Sequence, residues 1–196
     1  MAADPATAEA RLSDRRDARV AVTAPAPWRA RLVELALGSG LALAEPEEPA
    51  TARLLVTAGE PDRDRLDEMV RAGEPHLVAA YAEGRLRLGP FVQPGITACL
   101  RCVDAHESEL DRRRGLVLHQ LSRGLPPPGV ADPADPALLA MGLGWLVRDL
   151  VTFVEGGSPG TWSATVTLTL RDDPERVDGA RHPHCGCAWG EWLAWA

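Results

Sequence analysis

Apolar residues fall along this chain in short runs whose spacing alternates between that of strands and that of helices. Arg19-Val20-Ala21-Val22-Thr23-Ala24, closed by Pro25-Ala26-Pro27, reads as a buried strand. From Trp28 to Gly38, the residues Leu32, Val33, Leu35, Ala36 and Leu37 sit at helical spacing, with Gly38 placed to cap the end. Leu41 to Ala44 and Arg53 to Ala58 read as further strands, parted by an acidic, proline-bearing loop from Glu45 to Ala52. Asp62 to Ala72 is a charged amphipathic helix with Leu66, Met69 and Val70 on one face. His76 to Tyr81 and Arg85 to Val92 follow as strands, with Gly84 at the turn. This alternation predicts an α/β sheet with parallel, right-handed crossovers.

The pattern then changes. Gly124 to Pro136 is rich in proline and glycine and reads as a loop. Ala137 to Glu155 is the most apolar helix; Arg148 and Asp149 interrupt it, which predicts a central packed helix and no membrane span. Thr161 to Leu170 alternates Trp162, Ala164, Val166, Leu168 and Leu170 against threonine, the signature of a half-buried strand. Residues 1 to 18 read as a polar, flexible leader, and residues 19 to 196 as a single domain without internal repeats.

Composition narrows the chemistry. The 196 residues are 45% hydrophobic, enough for a core that needs no disulfides. Every one of the 21 basic residues is arginine; lysine and asparagine are absent. Codon bias toward GC explains that absence, but the chemical exclusion holds regardless: no P-loop lysine, no Schiff base, no ammonium on a nucleotide phosphate. A net charge of -7 argues against a broad nucleic-acid surface. Met1 to Asp17 is broken by Asp4, Glu9, Arg11, Asp14 and Arg15, so it is no signal peptide, and a cytoplasmic location is expected. In that setting four cysteines in two close pairs point to a metal site sooner than to disulfides.

Those pairs are Cys99-Leu100-Arg101-Cys102 and Cys185-Gly186-Cys187, with 82 residues between them. A CxxC loop sets two thiolates on one side of a turn, at about the bite of tetrahedral zinc, and a second pair completes the shell. Gly95 and Gly186 would allow the tight backbone of such knuckles. Cys99, Cys102, Cys185 and Cys187 are therefore the expected ligands of a structural Zn²⁺; four thiolates leave no open position for water. A redox dithiol and unrelated buried cysteines are the competing readings. His182 and His184 flank the second pair, and either could replace a thiolate or hydrogen-bond to one.

Together these segments resemble a known family. Leu54-Leu55-Val56-Thr57-Ala58, the following helix, and Pro75-His76-Leu77-Val78-Ala79-Ala80-Tyr81 resemble the core of the ThiF/MoeB superfamily of ubiquitin-activating-like adenylyltransferases. The stretch GPFVQPGITACLRCVDAH from Gly89, the long apolar helix, and His182-Pro183-His184-Cys185-Gly186-Cys187 continue the likeness in the family's order. The phrase around the first pair is most similar to the subgroup that accompanies YcaO cyclodehydratases, which make azoline, azole and thiopeptide-type products from ribosomal peptides. The resemblance implies a reduced Rossmann-like sheet with a four-cysteine zinc site. It also implies a non-catalytic subunit that engages precursor peptide and stimulates a YcaO partner, which holds the ATP chemistry.

The departures sharpen that expectation. Where active members carry a glycine-rich turn whose amides cradle phosphate, this chain has Ala24-Pro25-Ala26-Pro27-Trp28. Glu45 falls where a ribose-binding acid would sit, but with no phosphate loop before it, it reads as a solvated loop residue. Only Pro46 to Ala52 separate Glu45 from the next strand, where active members have a long nucleotide-binding segment. The 18 or so residues before the first strand are too few for the winged-helix peptide-recognition domain that many members carry. The expectation is thus a truncated pseudoenzyme with no catalytic and no nucleotide-binding residues. The alternatives are an active ATP-dependent adenylyl- or peptide-modifying transferase with an unorthodox site, and a homodimeric zinc scaffold.

Remaining features read blandly. Trp189, Trp192 and Trp195 would lie near one face of a short helix, as local cover over the zinc loop or as partner anchors. His106, Glu107, Glu109 and Asp111 read as a solvated helix face, and Arg112 to Arg114 as that helix's C-terminus complementing its dipole. Ser122, Ser158 and Ser163 lie in no nucleophile motif.

Overall fold

The computed structural model describes residues 5–123 and 134–188. Among the described residues, seven strands form one mixed sheet: β1 (Arg19–Thr23), β2 (Ala42–Ala44), β3 (Ala52–Ala58), β4 (His76–Ala82), β5 (Arg85–Val92), β6 (Ala164–Leu168) and β7 (Glu175–Asp178), in the order β2-β1-β3-β4-β5-β6-β7. The first four pair in parallel, as the strand–helix alternation predicts. From β4 onward the strands pair antiparallel, β4 with β5, β5 with β6 and β6 with β7. The cause is local: only Glu83 and Gly84, both at positive φ, join β4 to β5, so the chain reverses in a hairpin.

Helices cover both faces. On one side α2 (Ala26–Gly38) and α6 (Pro136–Val154) pack on each other and, through Leu32, Ala36, Leu143, Leu146 and Leu150, on Val20, Val22, Leu54, Val56, Leu86 and Leu88. On the other, Leu66 and Met69 of α3 (Arg63–Arg71) and Leu100 of α4 (Leu100–Leu110) meet Leu55 and Val78. Alternate residues of β3 thus serve opposite layers, as strand geometry requires. α3 is capped by Asp62, whose carboxylate accepts from the Asp64 amide. α6 is 19 residues long with mean hydropathy 1.6, so by length and composition alone it could cross a membrane; here it packs on β5 and buries Asp149 completely.

Several boundaries differ from the sequence expectation. The polar leader forms a helix, α1 (Pro5–Asp17), held to the domain where Arg15 donates to Glu155 Oε1 at 2.6 Å and to the Ser39 carbonyl at 3.0 Å. Gly38 lies inside α2; the chain turns out through Ser39, and Gly40 takes the positive φ of 82°. The strand expected over Thr161 to Leu170 starts at Ala164, because Ser163 sits at φ 48° and breaks the run. β7 carries no apolar alternation, all four residues being exposed, and so left no sequence signal. A further helix, α5 (Arg114–Arg123), follows α4 after a turn at Asp111, whose carbonyl accepts from the Arg114 amide. Arg112 and Arg113 therefore lie between two helices, and Arg114 opens the second, its Nε 2.7 Å from Glu107 Oε2. Trp189, Trp192 and Trp195, and most of the loop from Gly124, lie outside the described residues.

Candidate metal centre

Strand β5 delivers the first cysteine pair. After Val92 the chain turns through Gln93–Thr97, with Gly95 at φ 80° and the Gln93 amide donating to Thr97 Oγ1 at 2.7 Å. Ser163 Oγ then receives the Ala98 amide at 3.0 Å, and Cys99 takes the extended N-cap position of α4. The Cys99 carbonyl accepts from the Cys102 amide at 3.0 Å, which folds the CxxC loop over one helical turn. The second pair arrives after β7, where the Cys185 amide donates to the His182 carbonyl at 3.0 Å. Arg181 fastens the two segments, giving one Nη to the Gly95 carbonyl and the other to the Cys187 carbonyl, each at 2.9 Å. Gly186 starts a short 3₁₀ turn and is not among the positive-φ glycines.

The four sulfurs meet. Cys99 Sγ lies 3.7 Å from Cys102 Sγ and 3.6 Å from Cys185 Sγ, and Cys102 Sγ is 3.3 Å from Cys187 Sγ. All four fall within 4.8 Å of one another, and none is disulfide-bonded. Tetrahedral zinc with Zn–S near 2.3 Å requires S···S edges of about 3.8 Å. The donor set and its spacing therefore fit a four-thiolate metal site. Electrostatics point the same way. Hydrogen bonds from the Cys187 and Cys99 thiols and from the His182 amide hold Cys102 well below the ordinary thiol range. That anion, by hydrogen bond and charge, drives Cys99 far up, while burial lifts Cys185 to about 12.

Neither neighbouring histidine joins the sulfurs. His184 is exposed, and its amide donates to His182 Nδ1 at 3.2 Å. His182 is buried and turns its Nε2 to Glu109 Oε1, 3.1 Å away on α4. His106, one turn earlier, donates from Nε2 to the Ala180 carbonyl at 3.1 Å, and its ring meets His182 edge-on at 4.8 Å. The helix face read as solvated is thus partly a contact surface. Ser163 and Arg181 were equally invisible in sequence, because their partners lie 65 and 86 residues away.

A second network seats α4 against the sheet. Arg63 forks onto Asp104 at 2.8 and 2.9 Å, and its Nη2 also reaches Glu60 Oε2 at 2.9 Å, which Arg87 of β5 contacts at 2.8 Å. Burial raises the Glu60 carboxyl, but Arg87 and Arg63 outweigh it and hold it below the usual carboxylate range.

Chain order reverses in the opposite part of the sheet, at the C-terminal ends of β1 and β3, a place where open α/β sheets bind ligands. Pro25 and Pro27 offer no amide there, and the amides of Trp28 and Arg29 are already given to the Pro25 carbonyl at 2.9 and 2.8 Å. The Trp28 ring lies edge-on to Tyr81 of β4, centroids 5.9 Å apart, and Arg29 Nε donates to the Val22 carbonyl at 3.3 Å. Glu45 is exposed beyond the end of β2.

Sheet order and thiol cluster together define a mixed α/β domain carrying a four-cysteine site. Among solved structures this fold recurs in the heterocyclase TruD, with a TM-score of 0.71 and 20% identity over 92% of this chain and 28% of TruD. It also recurs in the microcin C7 biosynthetic enzyme MccB in complex with N-formylated MccA, with a TM-score of 0.65 and 13% identity over 92% of this chain and 70% of that one. MccB from E. coli has further been solved with ATP, at a TM-score of 0.64, 13% identity, and 91% and 69% coverage. This chain shares the fold of TruD and MccB, and it spans just over a quarter of TruD's length. No protein-family model and no curated protein matches the sequence.

Proposed function

We propose that this chain is a non-catalytic, ThiF-like partner subunit in the biosynthesis of ribosomally made, modified peptides. It would bind and stimulate a YcaO-type cyclodehydratase or a related modifying enzyme. The fold it shares with a heterocyclase and with a peptide-bound microcin biosynthetic enzyme supports the setting. The observation that carries the non-catalytic reading is the Ala24–Trp28 turn. Its two prolines, its committed amides and the Trp28–Tyr81 contact replace the amide-lined cradle that a nucleotide phosphate needs. A Zn²⁺ held by Cys99, Cys102, Cys185 and Cys187 would be structural, locking α4 to the segment after β7. That role suits a cytoplasmic protein, where thiols stay reduced. Precursor peptide is a second candidate ligand of the assembled complex.

In this reading the chain does no bond chemistry. It positions a partner, and the partner supplies the nucleotide. Co-purification with enzymes encoded beside it, precursor peptide included, tests the association; isothermal titration with ATP tests the Ala24–Trp28 turn. The account expects a stable complex with the modifying enzyme and no heat of ATP binding by the isolated chain. The ATP complex of MccB keeps one other reading in view, an active adenylyl- or peptide-modifying transferase. ATP–pyrophosphate exchange by the isolated chain would establish it. A homodimeric zinc scaffold would instead appear as a dimer by light scattering that binds none of those enzymes.

A further inference from the structure

The contacts that α4 makes with the second knuckle extend beyond the sulfurs. His182 accepts the His184 amide at Nδ1, at 3.2 Å, so its ring proton sits on Nε2 and is donated to Glu109 at 3.1 Å. The same residue's backbone carbonyl receives the Cys185 amide at 3.0 Å. Glu109 lies seven residues after Cys102, two turns along one face of α4. His106, between them, packs its ring on His182 and ties down Ala180. One helix therefore grips the segment from Ala180 to Cys185 at several points around a metal-facing sulfur.

We infer that Glu109 and His182 are positioning residues for the metal centre: their hydrogen bond fixes the approach of the Cys185–Cys187 pair and so governs how readily the ion is lost. This rests on the zinc reading. The geometry allows another use, since ligand atoms of His106, Glu109 and His182 lie within 4.8 Å and could hold a second ion. The hydrogen bonds argue for the clamp, because the His182 nitrogen facing Glu109 is the one that carries the proton.

The test uses the full chain loaded with zinc, counted by elemental analysis, with release followed in a chromogenic chelator. Glu109 is 66% exposed, so replacing it does not endanger folding. Glu109→Ala is expected to speed release by roughly 10- to 100-fold, the usual effect of removing a partner of a ligating segment. Glu109→Gln, which keeps a carbonyl acceptor, should recover most of the wild-type rate, as a loss of charge alone would not predict. Equal release from wild type and Glu109→Ala overturns the inference. So does a content of about two ions per chain falling to one in Glu109→Ala, which would assign a second metal. A wild-type chain that holds no zinc removes the zinc reading and the clamp with it, an outcome distinct from either.

Discussion

Asp149 shows how much one side chain can organise. It is fully buried near the end of α6, and its carboxylate takes the amides of Gly160 at 3.2 Å and Thr161 at 2.9 Å and the Thr161 hydroxyl at 2.7 Å. The Thr161 carbonyl in turn receives the Phe91 amide, so one carboxylate sets the entry to β6 and braces β5 just before the first knuckle. Asp149→Ala orphans several buried donors and should cost about 3 kcal/mol by chemical denaturation. Glu60 gives a prediction in pH. Its folded pKa is lowered by Arg87 and Arg63, so its stabilisation is complete above the ordinary carboxylate value and is lost as pH falls through the lowered one. Glu60→Gln should flatten the acid limb of a stability-versus-pH profile; an unchanged limb would remove Glu60 from that role. The cysteines were legible at this scale because CxxC and CxC spacing already encodes a metal bite. Glu109, Ser163 and Arg181 were not, since each acts on a partner brought close only by the fold.

At the level of elements, α6 and β5 approach closely because Gly142 has no side chain: a Cβ there would run into Leu86 Cδ2. Gly142→Ala must displace the buried Leu86 side chain or the helix itself, and a loss of about 1–3 kcal/mol in thermal or denaturant unfolding is expected. Gly144, two residues on, faces open space, so Gly144→Ala should be neutral or stabilising in the same assay. The parallel half, with α2, α3 and α6, was legible because buried strands and amphipathic helices carry strong periodic signals. Elements lacking that signal were not. β7 is exposed along its whole length, and α1 is polar and held through Arg15. Ser163 ended a run whose apolar alternation gave no hint of a left-handed residue.

Across the whole molecule, two ends of one sheet have divergent fates. At the C-terminal ends of β1 and β3, prolines and an aromatic contact occupy the ground where an α/β sheet would hold phosphate. Toward the other edge, four thiols, Arg181 and the Glu109–His182 pair bind α4 to the segment after β7. Metal removal should therefore unfold more than a loop. Cys99→Ser, or a strong chelator, is expected to release about one zinc per chain and to lower the melting temperature sharply, on the scale of the roughly 10 kcal/mol that such ions lend to folding. A fully stable, metal-free wild type would contradict the assignment. The absence of lysine belongs to this scale as well: it stands alongside the proline-bearing turn and the short Pro46–Ala52 connection as a third feature unsuited to nucleotide chemistry.

The central claim, that this scaffold serves a partner's chemistry, is tested most directly by reconstituting heterocyclisation. The modifying enzyme encoded beside this chain and its precursor peptide are incubated with ATP, with and without the chain, and water loss from the peptide is followed by mass spectrometry. The account predicts markedly faster ring formation when the chain is present, and no ATP consumption by the chain alone. Ring formation indifferent to the chain, or ATP turnover by the isolated chain, would contradict it.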